Sequence, residues 1–127
     1  MNKIKKELII KDKTKNVSIL PLKVKHGKVD SICYFINKNL AYISDISEIS
    51  KKDYKKFLNL KYLIIDCLWY RNHPSHLNLE KTLELIKIFK PKKSILTNLH
   101  NDLDYNELNK ILPKNVVPAY DGMKINL

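Results

Sequence analysis

The segment Tyr62-Leu63-Ile64-Ile65-Asp66 is apolar at every interior position, and no other stretch constrains the fold as much. A strand with one wet face alternates apolar and polar residues. A continuous apolar run belongs to a strand buried on both sides. The chain must therefore build a sheet with a layer against each face. Before this segment, Lys3 to Lys11 reads as a first strand closed by the polar stretch Lys11 to Asn16, and Val17 to Val24 as a second. Pro21 marks an edge or a bulge in that second strand. Ser31 to Asn37 and Leu40 to Ser44 read as two strands joined at Asn37-Lys38-Asn39, a hairpin. Ser50-Lys51-Lys52-Asp53 is a capping-box-like start for a short helix carrying Tyr54, Phe57 and Leu58.

After Asp66 the pattern changes. A long loop, Cys67 to Leu77, leads to Asn78, which caps a helix with the apolar stripe Leu79, Leu83, Ile86 and Phe89, stopped by Pro91. Ser94 to Thr97 is a short strand. Asp104 and Glu107 open a second helix with Leu108, Ile111 and Leu112 on one face. Val116 to Tyr120 and Met123 to Leu127 flank Asp121-Gly122, which predicts a terminal hairpin. Antiparallel strands followed by alternating strands and helices give an α/β fold, a mixed sheet with helices on one face. The helices are then used up, so the second face must pack on something this chain does not supply.

At 127 residues the chain is one domain or a large part of one. No stretch approaches the roughly 18 consecutive apolar residues of a membrane span. The run Leu8-Ile9-Ile10 is too short for a signal-peptide core and is followed at once by Lys11 and Asp12. Cys33 and Cys67 form no CxxC pair and fit buried free thiols in a cytoplasmic protein. The net charge of +11 invites a nucleic-acid reading, but Arg71 is the one arginine among 24 basic residues. Nucleic-acid surfaces favour arginine for its bidentate reach, and these lysines are spread along the whole chain. Nucleic acid is therefore disfavoured as a partner, while anionic small molecules are attracted.

Four histidines are His26, His73, His76 and His100, and His26 and His100 fall where predicted strands give way to loops, as does Asp45. Chemistry is commonly displayed at such places. Asp45 ends the strand Leu40 to Ser44; its two oxygens could bridge two cations, or it could be a turn residue. His26 precedes Gly27, which permits a tight turn. Period-two alternation puts Asn98 and His100 on one side of the chain after Thr97. Asp102 or Asp104 could accept the second N–H of His100, although Asp104 serves equally as a helix cap. His73-Pro74-Ser75-His76 lies just before a helix N-terminus, where a histidine could act as a general acid or hold a phosphate.

Together these segments resemble the C-terminal half of the metallo-β-lactamase fold, and most of all its phosphodiesterase branch, which includes the phosphoribosyl cyclic-phosphate phosphodiesterases. The stretches that carry the likeness are Lys25-His26-Gly27, Ala41-Tyr42-Ile43-Ser44-Asp45, Leu63-Ile64-Ile65-Asp66 and His73-Pro74-Ser75-His76-Leu77-Asn78-Leu79. They continue through Leu96-Thr97-Asn98-Leu99-His100 and Pro118-Ala119-Tyr120-Asp121-Gly122. The likeness runs from about Val17 onward, so residues 1–127 read as a single partial domain.

The resemblance implies half of an αββα sandwich and a metal-dependent hydrolase of a phosphodiester or cyclic phosphate. It implies two divalent ions, Zn²⁺ or Mn²⁺, with His26 and Asp45 as ligands and Asp45 bridging. His76 would assist the leaving group or hold the phosphate. The family's last ligand, a histidine directly after the strand-ending threonine, is replaced by Asn98, and His100 is expected to take over. Asn98, Asp66 and Asp102 are alternative ligands or supports. The family's HxHxDH motif has no counterpart here, so the ions are incompletely ligated. The expectation is then that this chain is a truncated product, or that an N-terminal half-domain or a second copy completes it. The alternative is a non-catalytic remnant that packs through its uncovered sheet face.

Overall fold

The computed structural model describes residues 6–127. Seven strands form one sheet whose spatial order follows the sequence. They are β1 (Leu8–Lys11), β2 (Asn16–His26), β3 (Val29–Ile36), β4 (Leu40–Ile43), β5 (Tyr62–Asp66), β6 (Lys93–Thr97) and β7 (Val116–Pro118). β1 to β4 pair antiparallel, and β4 to β7 pair parallel. A 3₁₀ helix (Lys51–Phe57) and the helices α1 (Leu79–Phe89) and α2 (Tyr105–Ile111) make the connections that parallel pairing requires. The fold is α/β with a mixed sheet, as the segment order implied.

Local signals account for most boundaries. The Asn78 side chain accepts from the Lys81 N–H at 2.9 Å, and Lys90 ends α1 in the left-handed region just before Pro91. Asp104 caps α2 by accepting from the N–H groups of Asn106 and Glu107. Asn37 and Lys38, with φ of 50° and 56°, turn the β3–β4 hairpin in the positive-φ geometry that matches strand twist. The β1 ladder stops at Leu8 opposite Ile19, so Pro21 falls where β2 has lost its outer neighbour.

Three expectations need correction. The first strand is Leu8–Lys11 among the described residues, and Lys3 to Lys5 lie outside them. Ser50 makes no side-chain cap to the helix that follows, which is 3₁₀. Met123 to Leu127 form no strand; Asp121-Gly122 does turn, with Met123 N–H donating to Tyr120 at 3.0 Å, but no ladder follows. The tail runs as irregular chain with Met123 and Ile125 half-buried.

The two sheet faces differ sharply. Cys33, Phe35, Ala41, Ile43, Leu63 and Ile65 point to one side and are buried with Phe57, Phe89 and Leu108 from the three helices. Phe57 packs between Phe35 and Phe89, with ring centroids 4.9 and 5.0 Å apart. On the other side Tyr34 lies opposite Tyr42, and Tyr42 beside Ile64. Ile32, Tyr34 and Tyr42 there remain exposed. The segment apolar on both faces thus has one face covered by helices and its neighbours' other face open. Burial pushes the Cys33 and Cys67 thiols up to about 12, as befits inert core residues. No helix among the described residues is long and apolar enough to cross a membrane.

Candidate metal centre

β2, β4, β5 and β6 all run in the same direction, because two antiparallel steps separate β2 from β4 and the later pairs are parallel. Their C-terminal ends therefore lie along one edge of the sheet. That edge carries His26 at the end of β2, Asp45 after β4, Asp66 at the end of β5 and Asn98 after β6. Ligand sites in open α/β sheets form at such edges.

The loops are tied together there. Ser47 Oγ accepts from the Gly27 N–H at 2.9 Å and donates to the Lys25 carbonyl at 3.2 Å, which joins the Asp45 loop to the His26 turn. Gly27 sits at φ +61°, and a Cβ there would lie 3.1 Å from Ser75 Cβ and 3.2 Å from the Pro74 carbonyl oxygen. Only glycine lets the His26 turn approach the His73–His76 segment so closely. Asp45 (φ 52°) and Asn98 (φ 60°) leave their strands in the left-handed region, which Asp and Asn tolerate best.

His26, Asp45 and His76 each offer one ligand atom, and these atoms lie within 4.8 Å of one another. The histidine rings meet edge to face at 4.6 Å. Their hydrogen bonds decide which nitrogens are free. His26 Nδ1 is 2.6 Å from the Ser75 carbonyl oxygen, which can only accept, so Nδ1 carries the proton. His76 Nδ1 donates likewise to Asp66 Oδ2 at 2.8 Å. Both rings therefore turn an unprotonated Nε2 away from their supports, the arrangement by which a protein orients metal-binding imidazoles. Two imidazoles and a carboxylate match the three protein ligands of a catalytic zinc site.

Asp66 is the hub beneath this group. It is fully buried, and its Oδ2 also accepts from the Ile46 N–H at 3.1 Å. One oxygen thus fixes both the His76 ring and the backbone next to Asp45. Its Oδ1 has no partner. Asp66 is a support and not an exposed ligand.

His100 departs from expectation. The left-handed turn at Asn98 breaks the alternation that would have kept the two side chains together. His100 instead packs on Trp69, ring centroids 5.3 Å apart, and half of it is exposed. Asp102 does meet it, through its N–H to His100 Nδ1 at 3.3 Å, but away from the donor group. Asn98 faces Asp45, its amide 3.4 Å from Asp45 Oδ1. Among the described residues, His26, Asp45 and His76 are the one such cluster of three or more donors. They are the donors this chain brings together for a divalent ion. Sequence reasoning missed the Ser75 carbonyl, because a backbone acceptor leaves no trace in residue type.

No protein-family model matches the sequence, and no curated protein is similar to it in sequence. Solved structures are similar. A diphosphatase of the PhnP family superposes with a TM-score of 0.84 at 27% identity, over 93% of this chain and 45% of that one. The metallo-β-lactamase fold protein YhfI from Bacillus subtilis gives a TM-score of 0.70 at 19% identity, over 91% of this chain and 51% of that one. Human tRNase Z, short form, gives 0.65 at 14% identity, over 94% and 45%. The last two likenesses concern the fold alone. The chain spans about half the length of these proteins. Its fold is that of the metallo-β-lactamase superfamily, and it corresponds to the C-terminal half of such a protein.

Proposed function

We propose that this chain carries part of the active site of a metal-dependent hydrolase acting on a phosphate ester or anhydride. The observation behind this reading is the convergence of His26, Asp45 and His76 with both imidazoles locked in the tautomer that leaves Nε2 open. The likeness to the PhnP-family diphosphatase points to the same bond class. A bound Zn²⁺ or Mn²⁺ would supply Lewis-acid activation of water and of a phosphoryl oxygen.

The chain's own residues do the positioning. Ser75 and Asp66 hold the two rings, and Ile46 N–H on Asp66 fixes the loop that presents the Asp45 carboxylate. His76 has two uses for one atom. Its Nε2 could either join the donor set or, when it is not bound to the ion, carry a proton to the leaving oxygen; the two uses exclude one another at any one moment. The exposed face with Ile32, Tyr34 and Tyr42 would take the rest of the enzyme, as an N-terminal half-domain or a second copy.

Titration with Co²⁺, followed by its visible absorption, tests the site directly. One ion per chain is expected, with binding lost in His26→Ala and weakened in His76→Ala. Binding that survives both substitutions would defeat the proposal.

A further inference from the structure

β1 is an edge of the sheet: among the described residues it pairs with β2 alone, Leu8–Lys11 against Asn16–Ile19. Three consecutive aliphatic side chains there, Leu8, Ile9 and Ile10, are 43%, 54% and 49% exposed. Alternation sends them to both faces of the strand, so no single covering layer hides all three. Sheets usually protect such an edge with a proline, a bulge or a charge inside the strand. β1 has no proline, and its register with β2 runs without a bulge. Its charges stand only at its ends, Glu7 just before it and Lys11 at its close.

The ladders show which backbone groups point outward. The Ser18 carbonyl accepts from the Asn37 N–H at 2.9 Å, so the peptide groups of Ser18 face β3 and not its β1 neighbour, Ile9. The Asp12 N–H donates to the Lys15 carbonyl at 3.1 Å, in register with the β1–β2 ladder. Antiparallel bonding alternates residue by residue, and both contacts give the same phase. Leu8 and Ile10 bond to β2, while Glu7, Ile9 and Lys11 turn their N–H and C=O groups to the free edge.

We propose that β1 pairs with β1 of a second copy of this chain, antiparallel about Ile9, and joins the two sheets into one. With Ile9 facing Ile9, the outward groups of both strands meet. Leu8 then lies opposite Ile10, Glu7 opposite Lys11 and Lys6 opposite Asp12, so every charge faces its opposite. Parallel pairing would set Glu7 beside Glu7 and Lys11 beside Lys11. An antiparallel centre at Leu8 or Ile10 would place Glu7 or Lys11 against Ile9 and would present groups already bonded to β2. The contact uses the same edge of both copies, so it closes at a dimer. β1 covers only the Asn16–Ile19 end of β2, and His26 ends the same strand at its other end, so the donor group stays open. Dimerisation of this kind does not depend on the hydrolytic reading of His26, Asp45 and His76.

Sedimentation equilibrium of the full chain tests it, and a concentration-dependent dimer is expected. Glu7→Lys alone, or Lys11→Glu alone, sets like charges opposite each other at both symmetry-related pairs and should raise the dimer Kd roughly tenfold. Glu7→Lys/Lys11→Glu restores opposite charges and should return Kd to within about threefold of the parent. Ile9→Pro removes an edge-facing N–H that β2 does not use and should leave a folded monomer, its fold checked by circular dichroism. A monomeric parent, a dimer indifferent to both single reversals, or a double reversal as weak as the single ones would overturn the proposal.

Discussion

Replacing Asp66 separates the support of the site from the stability of the core. Asp66 Oδ2 accepts from His76 Nδ1 at 2.8 Å and from the Ile46 N–H at 3.1 Å, while Oδ1 is buried without a partner. In Asp66→Asn the amide oxygen can occupy the Oδ2 position and keep both bonds. The amide NH₂ then takes the unpartnered place, where a buried donor costs about 1–3 kcal/mol. Removing an uncompensated buried charge offsets part of that, so the net loss should be about 1–2 kcal/mol. In Asp66→Ala two donors lose their acceptor, and the loss rises to roughly 2–6 kcal/mol at about 1–3 kcal/mol each. Urea unfolding of both variants measures these values. The functional effect should run the other way. A neutral acceptor holds His76 Nδ1–H less firmly than a carboxylate, and loss of such a partner typically weakens metal binding about 10–100-fold. Asp66→Asn should therefore lose only about 1–2 kcal/mol, less than Asp66→Ala, and bind Co²⁺ much more weakly, with the ¹⁵N signals of His76 moving toward a tautomer mixture. If Asp66→Asn and Asp66→Ala are equally unstable, or if Asp66→Asn binds Co²⁺ normally, the hub assignment is wrong.

Other substitutions probe the remaining joints. Gly27→Ala must hold a left-handed residue, at roughly 1–2 kcal/mol, and press its Cβ on Ser75; it should lower stability by about 1–3 kcal/mol and shift the His26 resonances, and an unchanged midpoint would count against the close approach. Asn98→His places an imidazole where an amide now lies 3.4 Å from Asp45, at a backbone angle histidine tolerates; Co²⁺ affinity should rise about tenfold, equivalent to about 1.4 kcal/mol, and no change would mean that position 98 does not reach the ion. Phe57→Ala removes the ring packed between Phe35 and Phe89 and should cost about 3–5 kcal/mol in urea unfolding. The thiols of Cys33 and Cys67 are raised by burial from 9.0 to about 12. The unfolded chain therefore loses these protons first, and stability should fall as pH rises from about 9 toward 12. At pH 8 both thiols should resist alkylation unless the chain unfolds, and rapid labelling of native protein would contradict their burial.

Much of the molecule is written locally. Asn78 and Asp104 announce their helices because a capping side chain acts within three residues of itself. The continuous apolar run at Tyr62–Asp66 announces a central strand, and the order of strands and helices announces α/β. Asp45, His26 and His76 were visible because each ends or borders an element. Other features depend on contacts between distant segments. The terminal hairpin does not form even though Asp121-Gly122 turns the chain, because turn residues do not encode whether a ladder follows. His100 leaves the donor group because one left-handed residue, Asn98, undoes the alternation that a sequence reading must assume. The sequence by itself determined which residues are able to do chemistry and roughly where the elements begin. Tertiary structure decided which nitrogen of each histidine is free, since that depends on the Ser75 carbonyl and on Asp66, 49 and 10 residues away from the rings they hold. Hydrogen-bond partners across the sheet edge have no local signature, so the tautomers appear only once the loops meet.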